Sequence, residues 1–157
     1  QRQMCIRDRV RVGWLKLSLI ILLKLMSCLT LPHMKKLPVS FFVYLFLTLT
    51  WFLVILYLLL YYQPDGSTYS KFKHLDKLIH FILFFVQSLT LSQAIYLFKG
   101  HFSFKIFILV ILILLSFGVI TEVQQLYIPF RTFDYYDLIT NIIGVVTGVF
   151  CVKFFNK

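Results

Sequence analysis

FKIFILVILILLSFGVITEVQQLY, residues 104–127, decides how the rest of this chain is to be read. From Ile106 to Thr121 it holds no charged residue, and the run is long enough for the roughly 30 Å hydrocarbon core of a bilayer, which a helix of about 20 apolar residues crosses. It then admits Glu122 and Gln125 before the apolar character ends. An ionisable group at membrane depth costs about 2.5 to 3.5 kcal/mol on insertion scales, so a chain that keeps one there uses it, pairs it, or both.

Three further runs have the same character: Val39 to Tyr62, Leu78 to Phe98, and Leu138 to Phe155. The chain is 60% hydrophobic and 14% charged, with a mean hydropathy of +0.86, more apolar surface than a soluble domain of this length requires. No strand-like alternation with regular turns appears, which argues against a β-barrel. The fold class expected is all-α: a polytopic membrane protein built as a bundle of four transmembrane helices, one domain over residues 34–157. The first run follows two lysines but is too long for a signal-peptide core and lacks a small-residue cleavage site, so it reads as a retained helix.

Residues 1–33 are read as a non-native or dispensable extension. The run QRQMCIRDR (residues 1–9) resembles translated sequencing-adapter read-through, and Met34-Lys35-Lys36-Leu37, followed at once by an apolar run, reads as a bacterial start. Leu15 to Leu31 is apolar but interrupted by Lys16 and Lys24 and ended by Pro32; if native it would be an extra span or a surface helix. The split matters for charge. Residues 1–33 hold six basic groups and one acid, and the remainder holds ten and five, so half of the formal +10 falls on the extension. A strongly basic tail is not inferred. Cys5, Cys28 and Cys151 are widely spaced and odd in number, which supports neither a disulfide framework nor a structural zinc site.

Basic residues in short loops set the expected orientation. With the amino terminus inside, the inner side holds Lys35, Lys36, Lys99, Lys105, Lys153 and Lys157. The outer side holds Lys71, Lys73, Lys77 and Arg131 among the acids Asp65, Asp76, Asp134 and Asp137. Both termini are expected in the cytoplasm, and the polar residues of the second, third and fourth spans then share the outer end.

Those polar residues fall into three groups. Asp76 and His80 are four apart at the head of the second span, on one helical face, with the acid favoured by the helix dipole and able to act as a cap. Lys77 between them reads either as a ligand for an anion or as an interfacial lysine snorkelling to water. The third span carries Gly118-x-x-x-Glu122-x-x-Gln125, again one face, with a glycine that lets another backbone approach beside the acid. Pro129 then ends the helix and Arg131 follows in a partly aromatic loop, placed to pair with Glu122 or Asp137 or to offer its guanidinium to a lipid phosphate. The fourth span gives Asp137-x-x-x-Asn141-x-x-Gly144-x-x-x-Gly148, polar outside and small-residue packing deeper in. Asn141 is expected to hydrogen-bond across helices to Gln125 or Glu122, because an unsatisfied amide in lipid costs several kcal/mol. Asp134 reads as a solvated loop acid.

DKxxHF, then GxxxExxQxxxPxR, then DxxxNxxGxxxG, in that order across three consecutive spans, resembles the VanZ-like family of bacterial membrane proteins. The resemblance runs from about Leu75 to Phe150 and rests on Asp76, Lys77, His80, Phe81, Glu122, Gln125, Pro129, Arg131, Asp137, Asn141 and Gly144. Asp134 departs from it, standing where a small hydroxyl residue is more often expected. What the resemblance implies is membership of a group named for a protein associated with low-level resistance to the glycopeptide teicoplanin, in the bacterial plasma membrane; it implies no established reaction.

Three functions remain open on the residues themselves. One is binding: Arg131 and Lys77 hold an anionic headgroup of a membrane lipid or lipid-linked cell-wall precursor, while Asp76, Glu122 and Asp137 orient it. The second is an intramembrane enzyme, with His80, Glu122 and Asp76 as candidates for proton transfer or, with the other carboxylates, for a hydrolytic metal site; no placed Ser or Cys nucleophile and no HExxH motif accompanies them. The third is transport along Asp76, His80 and Glu122. Polar groups reaching the inner half of the bilayer would favour transport, and a pocket closed from below would favour the first two. The binding reading leads. No cofactor, bound metal or nucleic-acid partner is expected, and assembly with a second copy of the chain is left open.

Overall fold

Pro38 opens the first helix and Gly100 closes the second, and both do so for backbone reasons. Pro38 has an extended conformation (φ −65°, ψ 148°) immediately before Val39, while Gly100 adopts φ 71° and donates its N–H to the Tyr96 carbonyl at 2.8 Å, the left-handed helix ending that glycine accommodates without a Cβ clash. In the computed structural model, which describes residues 37–61, 73–128 and 133–156, the elements are α1 (Val39–Leu56), a π-helical turn (Tyr57–Tyr61), α2 (Lys73–Lys99), α3 (Phe104–Gln125) and α4 (Tyr135–Phe155). The readings made for residues 1–33, Pro129 and Arg131 lie outside the described residues.

Four helices among the described residues are long and apolar enough to cross a membrane: Val39–Tyr61, Leu75–Lys99, Phe104–Gln125 and Tyr135–Phe155. No strand occurs among them. Two helix starts lie upstream of the expected spans, at Lys73 and Tyr135, because hydropathy marks where lipid begins and hydrogen bonding marks where a helix begins. Ser103 Oγ accepts from the Ile106 N–H at 3.4 Å, and Asp134 Oδ1 accepts from the Tyr136 N–H at 2.8 Å, each satisfying an otherwise orphaned donor at a helix start.

Side-chain pairs fix the directions of the helices. Lys77 meets Asp137 near the starts of α2 and α4, and Gln93 Oε1 accepts from Asn156 Nδ2 at 2.9 Å near their ends, so these two run parallel. His80 meets Glu122 of α3, and Phe41 of α1 meets Phe98 of α2, so α1 and α3 run the other way. Trp51 Nε1 donates to the Leu83 carbonyl at 2.9 Å, tying α1 to α2 at mid-height.

The closest approach is between α2 and α4. A Cβ on Gly144 would lie 2.6 Å from the Phe81 carbonyl oxygen, and one on Gly148 would collide with Ser88 Oγ and come within 2.7 Å of the Phe85 carbonyl oxygen. The glycine stripe is therefore a helix contact: small residues let backbones approach where lipid offers no hydrophobic drive for association. Exposed apolar side chains such as Phe46, Leu53, Phe104, Leu112, Phe150 and Phe154 cover the outside, as expected of a lipid-facing surface.

Candidate functional site

The α2–α4 contact brings two polar helix heads side by side, and α3 arrives antiparallel with its acid at the same level. His80 and Glu122 are both fully buried. His80 Nδ1 lies 3.2 Å from Asn141 Oδ1 and 3.4 Å from Glu122 Oε1, so one ring nitrogen faces two acceptor oxygens from two different helices. Asn141 Oδ1 is the hydrogen-bond partner of Nδ1, and the Glu122 carboxylate lies beside the same nitrogen as a charge neighbour.

Nearer the bundle end, Lys77 Nζ sits 2.8 Å from Asp134 Oδ2 and 3.1 Å from Asp137 Oδ1, and 5.1 Å from the centroid of the Tyr136 ring. Asp134 thus caps α4 with one oxygen and binds Lys77 with the other, a structural role where a solvated loop acid was expected. Lys77 is held between two carboxylates on the neighbouring helix, and is not simply snorkelling to water. Asp76 lies in the first turn of a helix that begins at Lys73, so it is not the cap. One oxygen of Asp76, one of Asp137 and one ring nitrogen of His80 lie within 4.8 Å of one another.

Asp76, Lys77, His80, Glu122, Asp137 and Asn141 are therefore gathered in one place. Asn141 reaches His80, where Gln125 or Glu122 had been expected; its Nδ2 has no hydrogen-bond partner among the described residues. Gln125 is buried one turn beyond Glu122, and its Nε2 likewise has no partner among the described residues. Arg131 lies outside them.

An aromatic floor lies one helical turn deeper. Phe84 is fully buried and packs against Phe117 with ring centroids 5.7 Å apart and the planes tilted by 39°, and Phe117 packs at 4.9 Å on Phe52. Beneath them α2 carries polar residues that the sequence reading passed over: Gln87, Ser88 and Ser92, all fully buried. Ser88 Oγ donates to the Phe85 carbonyl at 2.9 Å, whereas the amide of Gln87 and the hydroxyl of Ser92 have no partner among the described residues. The spacing of Gln87 seven residues after His80, on nearly the same helical face, was the available signal.

Compared with known families, residues 18–156 match the model described as VanZ/LLP1, nearly the whole chain. No curated protein and no solved structure matches it.

Proposed function

Because the chain belongs to the VanZ-like family, we propose that it is a multi-pass protein of the bacterial plasma membrane, both termini cytoplasmic, whose polar pocket between α2, α3 and α4 opens to the outer leaflet. There it binds the anionic headgroup of a lipid or lipid-linked cell-wall precursor and so lowers susceptibility to glycopeptides such as teicoplanin. The observation that carries the reading is Lys77, 22% exposed and held between Asp134 and Asp137 at the mouth of a buried His80, Glu122 and Asn141 cluster.

A headgroup phosphate would take Lys77 and Arg131 as cationic partners, while the carboxylates accept from its hydroxyl and amide groups. A second reading rests on the pairing of His80 with Glu122: a buried imidazole between a carboxylate and an amide is a set of parts for proton transfer, and an intramembrane enzyme acting on a lipid-linked envelope substrate would use them.

The test is teicoplanin susceptibility in a sensitive host expressing a chain that begins at Met34, compared with Glu122→Gln and Arg131→Ala at matched membrane levels. Protection by the parent and loss in both variants is expected. Equal protection by all three would make the cluster structural, and no protection by any would remove the envelope role.

A further inference from the structure

We propose that the end of the bundle opposite the polar cluster binds a phospholipid with a net negative headgroup, such as phosphatidylglycerol, on Lys99, Lys105 and Lys153. This site is separate from the headgroup pocket and does not depend on it.

The distribution of charge comes first. The acids among the described residues, Asp76, Glu122, Asp134 and Asp137, stand at the heads of α2 and α4 and in the last turns of α3. The opposite end of the same three helices carries Lys99 in the last turn of α2, Lys105 in the first turn of α3 and Lys153 in the last turn of α4. No acid accompanies them among the described residues at that end. Lys77 is held by two carboxylates, whereas Lys99, Lys105 and Lys153 make no ion pair among the described residues.

The fold also brings these lysines together. Lys99 and Lys105 flank a short turn fixed by hydrogen bonds: the Gly100 N–H donates to the Tyr96 carbonyl at 2.8 Å, His101 Nδ1 donates to the Lys99 carbonyl at 3.2 Å, and Ser103 caps α3. Helix α4 joins them through Lys153, whose Nζ lies 5.5 Å from the ring centroid of Phe104 and 4.9 Å from that of Phe107. Asn156 and Gln93 hold the end of α4 to α2. Lys99 Nζ lies 5.5 Å from the Phe98 centroid. A ring face attracts an ammonium without neutralising it, so these cations are positioned and still available to an anion.

The surroundings favour a lipid over a soluble anion. Phe104, Phe154 and Phe155 are exposed beside the lysines, on helices long and apolar enough to cross a membrane. Lysines at such helix ends extend their stems along apolar surface and carry their charge to headgroup level, where rings below them meet acyl chains. The unesterified oxygens of a phosphodiester then accept charge-assisted hydrogen bonds from the ammonium groups. A zwitterionic headgroup brings its own cation into the patch, which a net negative one does not, and clustered lysines beside a span favour anionic leaflets for that reason. With the orientation proposed above this is the cytoplasmic leaflet, and the chemistry is the same in either.

The experiment titrates the purified full chain in detergent micelles with phosphatidylglycerol and, separately, with phosphatidylcholine of the same acyl chains, counting bound lipids by native mass spectrometry. Phosphatidylglycerol should bind more tightly by about 10-fold or more. Lys99→Gln, Lys105→Gln and Lys153→Gln should each weaken it by about 5-fold, and the three together should abolish the preference. Lys153→Arg, which keeps the charge over the rings, should retain it. Equal affinity of the parent for the two lipids overturns the proposal whether or not any variant folds. Undiminished binding in all three single variants, or in the triple variant with parental helix content, also overturns it. Displacement of the lipid by an equal concentration of inorganic phosphate would mean a soluble-anion site and overturn the lipid assignment. If Lys77→Gln removes the preference and the triple variant keeps it, the lipid sits at the polar end, which overturns this site and supports the headgroup reading.

Discussion

Asp134 Oδ2 accepts from Lys77 Nζ at 2.8 Å while its other oxygen, Oδ1, accepts from the Tyr136 N–H at 2.8 Å, so one side chain both starts α4 and ties it to the head of α2. An N-cap contributes about 1 kcal/mol, and a partly exposed ion pair roughly 0 to 1 kcal/mol. With side-chain exposures of 22% for Lys77 and 30% for Asp134, this pair belongs in that modest range.

Replacing Asp134 therefore separates the two roles. Asp134→Ala should lower stability by about 1 to 2 kcal/mol, and Asp134→Asn, which keeps a capping oxygen but loses the charge, by less than about 1 kcal/mol. Thermal unfolding in detergent, followed by helical circular dichroism, reads both. Equal losses in the two variants would mean that the cap contributes nothing and that only the bond to Lys77 counts.

The glycines make a graded prediction. At Gly118 an added Cβ would meet Phe84 Cε1 at 3.4 Å and Asn141 Nδ2 at 3.6 Å, ordinary contacts with side chains. At Gly144 and Gly148 it would meet the α2 backbone at 2.6 and 2.7 Å. Gly144→Ala and Gly148→Ala should each cost about 1 to 3 kcal/mol, the range for overpacking, and Gly118→Ala much less. An unfolding series in which Gly118→Ala is the most damaging would contradict the parallel α2–α4 contact.

How much of this was open to sequence reading follows from what spacing encodes. The four spans, the shared face of Asp76 and His80, and the packing role of Gly144 and Gly148 all follow from periodicity within one helix. The rotation of one helix against the next does not, so spacing alone points Asn141 toward Gln125 or Glu122, whereas it meets His80. Asp134 reads as a loop acid because nothing in a loop of mixed polarity marks which residue becomes the cap. Gln87 escaped notice because a neutral amide inside an apolar run carries no charge to draw attention to it.

The arrangement around His80 predicts a tautomer. With Asn141 Oδ1 as the hydrogen-bond partner of Nδ1 and the Glu122 carboxylate 3.4 Å from the same nitrogen, the neutral ring should carry its proton on Nδ1, against the usual preference of imidazole in water. Nitrogen-15 spectra of histidine-labelled protein at about pH 8, where an unperturbed imidazole is neutral, distinguish the two forms, and comparison with His80→Gln assigns the signal. Asn141→Leu combined with Glu122→Leu removes the acceptor and the neighbouring carboxylate and should return the ring to Nε2–H. A parent signal already in that form would contradict the geometry on which the site is built.

Gln87 offers a test of what lies beneath the aromatic floor. Its amide is fully buried, and neither its nitrogen nor its oxygen has a partner among the described residues; leaving such groups unpaired costs about 1 to 3 kcal/mol. Leucine has nearly the same volume and no polar atoms, so Gln87→Leu should raise stability by about 1 to 2 kcal/mol. The polar cluster should be unaffected, because Gln87 lies two helical turns from His80 along α2 and makes no hydrogen bond to it. A loss of stability would mean that the amide holds water or another polar species in the lower half of the bundle. Polar traffic past the floor would then have a place to continue, and the transport reading would gain the inner-half polar group it requires. A gain leaves Gln87 as an isolated amide in the lower half of the bundle, which is what binding or chemistry confined to the polar end needs.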